Sequence, residues 1–386
     1  MIQQLTQQFQ NYYGTRKTPT VFFAPGRVNI IGEHIDYNGG NVLPFAIEMG
    51  TYAAVIVRED KKIRLFSHNF NTEIIIDLDK ITYNIEFDWA NYPLGVVQIF
   101  KNAGYTIDRG FDVYFLGNLP NQAGLSSSAS IELVMAIMLK NIFELDINKT
   151  QMALLCQKAE NEFMKLSCGI MDQFAIARGK KNNAIFLNTQ TLEFQLVPML
   201  LDNYCFVVAN TQKKRQLVDS AYNQRLEECQ AALSLLQKKF DISNLCQLSV
   251  ENFEKSLKLF DNQTILHRAR HAITEQKRTI DSIEALKNGH IHKLGKLLNE
   301  SHLSLKNDYE VSCFELDTLQ SLALEVDGVA GSRMIGAGFG GCTISVVEKK
   351  YVDNFINFVG KKYHQKTGLK ADFYVVESAD GAHKIM

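Results

Sequence analysis

Runs of apolar residues with strand spacing recur along the first half of the chain. Val42–Val57, Lys62–Phe66, Ile74–Leu78 and the alternating Phe111-Asp-Val-Tyr-Phe115 each predict a strand. Between and after them the period changes. Residues 3–13, 96–102 and 150–166 predict helices, and Ala129–Leu139 is apolar on nearly every side, as a buried helix would be. Ala184–Leu187, Glu193–Val197 and Tyr204–Ala209 read as strands again. From 215 to about 325 the pattern is helical, opening on a long helix over 215–240. Strand Cys342–Val347, an amphipathic helix through Val352, Phe355, Ile356, Val359 and Tyr363, and strand Asp372–Val376 close the chain. Helices segregated from strands in this way predict an α+β fold. A division into 1–198 and 199–386 follows from the change of pattern near residue 200.

Three stretches break the pattern. The first, Pro25–Gly40, crowds Arg27, Glu33, His34, Asp36 and Asn38 among Gly26, Gly32, Gly39 and Gly40. Carboxylates accept from hydroxyls while Arg and His donate, which is an inventory for gripping a polyhydroxylated molecule. A solvated turn with surface ion pairs is the plainer reading, and a metal site from these neighbouring residues is disfavoured. The second stretch, Leu119–Leu133, joins a strand to a helix through Gly124 and Ser126, Ser127 and Ser128. Small residues, free N–H groups and the helix dipole favour a phosphate there, although serines before a helix are also ordinary caps. It lacks the Gly-Lys-Ser/Thr of a Walker loop, and no kinase His-Arg-Asp or Asp-Phe-Gly occurs. In the third, Gly336, Gly338 and Gly341 fit Gly-x-Gly-x-x-Gly, but a strand follows where a dinucleotide fold needs a helix.

Single residues add candidates. Asp172 is an acid in the mostly apolar Cys168–Phe174, where buried acids are paired or functional. Glu160 and Glu162 read as a solvated helix face, or as a carboxylate for Mg²⁺ beside a phosphate site. Trp89 suits core packing or stacking on a base. His267-Arg-Ala-Arg-His271 reads as a solvated basic patch.

The 386 residues carry 41 basic and 42 acidic side chains, a balance that argues against a nucleic-acid binder. No apolar run approaches the ~18 residues of a membrane span, so no membrane partner is expected. Seven cysteines without a Cys-x-x-Cys fit reduced thiols in a cytoplasmic protein.

Together these segments resemble a known family. Pro25–Gly40 is similar to the sugar-binding signature of galactokinases, Leu119–Ser130 to the phosphate loop of the GHMP kinases, and Gly331–Cys342 to the third motif of that superfamily. Cys168–Phe174, Ser220–Arg225, Arg268–His271 and Asp308–Leu319 extend the resemblance along nearly the whole chain. It implies a two-domain α+β fold with the active site in the interdomain cleft. It implies a monomeric ATP-dependent sugar kinase that transfers the γ-phosphoryl group to the C1 hydroxyl of D-galactose. By resemblance, Asp172 and Arg27 are catalytic, and Glu33, His34, Asp36, Gly169 and Tyr222 bind the sugar. Gly124, Leu125, Ser126, Ser127, Ser128, Ala129 and Trp89 bind ATP, and Ser128 and Glu160 hold Mg²⁺. Gly336 and Gly338 would let the third motif pack behind the phosphate site. Ile35 stands where the signature usually has Thr, and Ala221 where Lys is common. Two alternatives share the motifs: a non-catalytic galactose sensor, whose loop tends to lack the Ser128-Ala129 pair seen here, and a kinase for N-acetylgalactosamine or another acceptor.

Overall fold

A computed structural model describes residues 2–120, 124–166, 168–213 and 218–386. Three sheets organise them. The largest has six strands, in the order His383–Lys384, Thr20–Asn29, Pro44–Val57, Phe111–Gly117, Lys62–Ser67 and Thr72–Asp77. Its pairings are antiparallel except that of Lys62–Ser67 with Phe111–Gly117. Helices Asn91–Asn102, Ser127–Ile142, Lys149–Lys158 and Met171–Arg178 pack together over it, and Phe22, Ala53, Val113, Leu133, Met138 and Phe174 fill the core between. Helix Ser127–Ile142 is buried along most of its length, as its uniformly apolar sequence requires.

A three-stranded sheet of Asn41–Val42, Asn183–Asn188 and Phe194–Pro198 ends the first half of the chain. The next strand, Tyr204–Asn210, belongs to a separate four-stranded sheet with Val329–Ile335, Cys342–Glu348 and Asp372–Val376. Helices Val218–Leu236, Gln263–Lys287, Ile291–Asn307 and Phe314–Leu324 accompany that sheet. The last residues then cross back, pairing Lys384 with Phe22 in the first sheet. All seven cysteines are thiols, and among the described residues no helix is long and apolar enough to cross a membrane.

Two expectations change. The helix expected over 150–166 runs as Lys149–Lys158 and then widens into a π-helical turn, Ala159–Phe163. Such turns often mark functional positions. The basic patch at 267–271 is not solvated: Arg268 is 2% and His271 0% exposed, because helix Gln263–Lys287 turns that face inward.

Candidate active site

The phosphate-loop candidate leaves strand Phe111–Gly117 and enters helix Ser127–Ile142. Gly124 has φ +71° and Ser126 φ +62°, a turn that glycine takes freely and serine only at a cost. Ser126 occupies the N-cap position, yet its hydroxyl makes no cap bond. It donates instead to Asp172 Oδ2 at 2.5 Å. Asp172 sits in the first turn of helix Met171–Arg178. Arg27, from strand Thr20–Asn29, grips the same carboxylate through Nε and Nη2, both at 2.7 Å. Its Nη1 donates to the Gly124 carbonyl, also at 2.7 Å. A charge-assisted fork of this kind fixes a carboxylate in direction as well as position. One arginine thereby joins the acid to the loop.

Beside the loop lies a cavity of about 220 Å³, lined by Ser67, Asn69, Phe70, Trp89, Tyr92 and Ser128 among others. Trp89 takes the core-packing role weighed for it and also reaches a cavity wall. It is 7% exposed and packs on Phe115, donates from Nε1 to Thr72, and still borders the cavity with Phe70 parallel to it. A second cavity, of about 430 Å³, is lined by Asp36, Cys168, Gly169, Thr189 and Gln190, among others. A Cβ at Gly169 would lie 1.9 Å from Asp36 Oδ2, so only glycine lets that carboxyl approach. Burial, then the neighbouring charges of Asp172 and Glu33, push the Asp36 carboxyl up to about 7.

The loop that carries Glu33 and His34 is held from the second half of the chain. Glu275 of helix Gln263–Lys287 accepts from the Gly32 N–H at 3.0 Å and, more weakly, from that of Glu33 at 3.4 Å. His271 Nε2 donates to the Glu33 carbonyl at 3.0 Å. Arg333 donates to the Ile30 and Asn29 carbonyls and, at 2.6 Å, to Glu33 Oε2. The Glu33 carboxylate also accepts from Asn29 Nδ2 and the Gly336 N–H. His34 Nδ1 accepts from the Tyr37 hydroxyl at 2.7 Å, and Tyr37 meets Tyr309 at 2.9 Å. Glu275, His271, Arg333 and Tyr309 are all fully buried. Burial pushes the His34 imidazole down to about 3 and that of His271 to about 4, so both stay neutral. The third glycine motif is a hairpin between strands, and it bonds this loop through Gly336 N–H to Glu33 and the Ala337 carbonyl to His34, and the rest of its half through Phe339 to Val311 and Gly341 to Thr211. Ile35 is buried against Gly40 and an apolar cluster with Cys229 and Leu245, a site suited to a hydrocarbon side chain.

Glu160 is not on a solvated face. It is 7% exposed, in the π-helical turn, and accepts from Gln173 Nε2 at 3.0 Å, with Ser128 and Cys168 as further hydrogen-bond partners. Glu162, two residues on, is exposed. No described cation pairs with Glu160, and burial raises its carboxyl above the ordinary value. Carboxylate and hydroxyl oxygens are the donors Mg²⁺ prefers. Among the described residues no cluster of three metal-binding side chains occurs, so an ion held by Ser128 and Glu160 would complete its shell with phosphate oxygens and water.

The structure thus brings Arg27, Ser126, Asp172, Asp36 and Gly169 together, with Ser128 and Glu160 beside them. Tyr222 lies on helix Val218–Leu236, but its side chain is outside what is described. Sequence reading missed Glu275, Tyr309 and Arg333, each remote in the chain. It also missed Glu132, whose only signal was a lone acid on a helix that is otherwise apolar.

Three family models match. A galactokinase galactose-binding signature covers residues 7–56, a GHMP kinase N-terminal domain residues 91–180, and a GHMP kinase C-terminal domain residues 282–365. A galactokinase of Fusobacterium nucleatum is 50% identical over the full length of both chains. One of Bacillus subtilis is 48% identical over 100% of this chain and 99% of its own. Among solved structures, Lactococcus lactis galactokinase complexed with galactose superposes with a TM-score of 0.96 at 43% identity, over 99% of each chain. Methanococcus jannaschii mevalonate kinase, at 18% identity and a TM-score of 0.69 over 95% of this chain and 100% of its own, shares the fold.

Proposed function

The chain belongs to the galactokinase family, within the GHMP kinases, and we propose on that premise that it transfers the γ-phosphoryl group of ATP to the C1 hydroxyl of D-galactose, giving galactose 1-phosphate and ADP. The observation that carries the reading is the Arg27–Asp172–Ser126 cluster, in which one arginine ties the acid to the phosphate-loop candidate.

A sugar hydroxyl is a weak nucleophile, and phosphoryl transfer has a loose transition state. Positioning and charge stabilisation therefore outweigh early deprotonation. Asp172, held by Arg27 and Ser126, orients the C1 hydroxyl and takes its proton late in the transfer. Arg27, already forked to Asp172, offsets charge on the transferring group. Glu33 is anchored by Arg333 but keeps lone pairs for a sugar hydroxyl, and Asp36, His34, Gly169 and Tyr222 complete the sugar site. The free N–H groups at the start of helix Ser127–Ile142, with Gly124, Leu125 and Ser127–Ala129, cradle the phosphates, and Trp89 borders the base. Mg²⁺, held by Ser128 and Glu160, would neutralise charge on the departing ADP. The setting is a monomer in the cytoplasm, consistent with seven thiols.

The test is ADP release from MgATP with D-galactose, N-acetylgalactosamine, D-glucose, homoserine and mevalonate in turn. Turnover with galactose, giving the 1-phosphate, is expected. Turnover confined to another acceptor would overturn the substrate, and galactose binding without turnover on any acceptor would overturn the kinase reading.

A further inference from the structure

Behind the phosphate loop, Glu132 occupies the middle of helix Ser127–Ile142 with no exposed surface. Its Oε2 accepts from Gln173 Nε2 at 3.3 Å, and the same nitrogen donates to Glu160 Oε2 at 3.0 Å. One amide therefore bridges two buried acids. The nitrogen must face them, since the amide oxygen would meet two acceptors. Two buried oxygens are left over on the same pair of residues, Glu132 Oε1 and Gln173 Oε1, neither with a hydrogen-bond partner. Two acceptors cannot satisfy one another, and no described cation lies against either acid. A buried polar atom left without a partner is costly, so a native core rarely leaves two on neighbouring groups.

One proton removes both deficits. A carboxylic acid and a primary amide form a cyclic pair: the acid O–H donates to the amide oxygen while the amide N–H donates to the acid oxygen. We propose that Glu132 is a neutral carboxylic acid closing such a ring with Gln173, and that the ring aims the remaining Gln173 N–H at Glu160. Burial out of reach of water also favours the neutral form of Glu132. Glu132 is then a positioning residue. It fixes Gln173, and Gln173 fixes the carboxylate assigned above to Mg²⁺, the neighbouring residue Asp172 being the assigned proton acceptor. The aiming role rests on that assignment of Glu160; the ring does not.

The test exploits an amide's ability to replace an acid in the ring. Glu132→Gln can still donate to Gln173 Oε1 and accept from Nε2, whereas Glu132→Leu can do neither. An infrared difference spectrum of wild type minus Glu132→Gln at pH 8 should contain the carbonyl stretch of a protonated carboxyl. Mn²⁺ binding in the presence of ADP, read by loss of the aqueous Mn²⁺ paramagnetic resonance signal, should stay within about twofold of wild type in Glu132→Gln and weaken by about ten- to a hundredfold in Glu132→Leu, as loss of an outer partner of a ligand does. Absence of the infrared band, or an Mn²⁺ loss of about tenfold or more in Glu132→Gln, would overturn the proposal, because the charge and not the ring would then matter. Glu160→Gln separates the two readings. Unchanged Mn²⁺ affinity in that variant would remove the metal assignment and the aiming role together, while the infrared result would still decide the ring. Glu132→Gln preserves shape and volume, so the test survives if the leucine variant fails to fold.

Discussion

On the nucleotide side, the walls of the cavity come from elements close in the fold and mostly close in sequence: Ser67 to Phe70, Asp88 to Tyr92, and Ser127 to Ile131. Phe70 is 47% exposed, and none of these residues carries a buried charge. On the sugar side, the loop from Ile30 to Asn38 is closed in by charged and polar groups with little or no exposure, Glu275, His271, Tyr309 and Arg333, which arrive from more than 230 residues along the chain. One side has an exposed ring and, on the proposed reading, would receive a flexible polyanion through backbone N–H groups. The other is pre-set, with hydrogen bonds from beyond the first sheet at Ile30, Gly32, Glu33, His34 and Tyr37. Selectivity among acceptors belongs on the pre-set side, since a site with fixed, desolvated polar groups penalises a wrong pattern of hydroxyls most.

The largest expected break in this contrast is Arg333→Met. It takes the cation from the Glu33 carboxylate and a donor from three carbonyls, and loss of one partner of a buried ion pair costs about 3–5 kcal/mol. Chemical denaturation should show that loss, and an effect near zero would mean the clasp is not structural. Glu275→Leu strikes the loop and also takes the shared carboxylate from Arg278 and Ser301. With the Gly32 and Glu33 N–H groups left without their acceptor, the galactose KM should rise by about tenfold, while the ATP KM stays within about twofold. Equal changes in both constants would erase the distinction between the two sides.

Proton binding sharpens it further. Asp36 is raised to about 7, and sugar hydroxyls donate best to its ionised form. The galactose KM should therefore fall as pH rises from 6 to 8, by less than the tenfold per unit that a single group allows, and Asp36→Asn should flatten the profile. The same raised value has an opposite sign for the sugar-free fold. Its contribution to stability is complete below the ordinary ~3.9 and is lost as pH climbs through about 7, so added galactose should raise the unfolding temperature more at pH 8 than at pH 6. The smallest effect is expected at the open side. Phe70→Ala removes one exposed ring, and the ATP KM should rise by roughly fivefold, the worth of about 1 kcal/mol, with the galactose KM unmoved.

What could be read in the sequence follows the same divide. The buried helix after the phosphate loop and most of the strands were legible, because local period decides them, but Thr20–Asn29, which extends into the expected glycine-rich loop, and Val329–Ile335, which turns the third glycine motif into a hairpin, were not. The resemblance named Arg27, Ser126 and Asp172 together, but not their mutual geometry, which joins positions 145 and 46 residues apart. Arg268 and His271 were misread as solvated because charge on a helix usually faces water. Glu228, Glu310 and the Asp308 carbonyl around Arg268, and Ser304 and the Glu33 carbonyl around His271, offset the cost of burying them. Glu160 was half legible: a carboxylate near the phosphate loop was foreseen, but the π-helical turn that buries it has no sequence signal of its own.

The most direct measurement is made on Asp172→Asn, which keeps the side chain's shape and one acceptor for Arg27. Galactose affinity, by calorimetry, and the rate of galactose 1-phosphate formation should be measured on the same sample. Galactose should bind within about twofold of wild type while turnover falls by about 10²–10⁴, the range a positioned proton acceptor contributes. Turnover within about tenfold of wild type would contradict the assignment of Asp172 as the group that takes the proton.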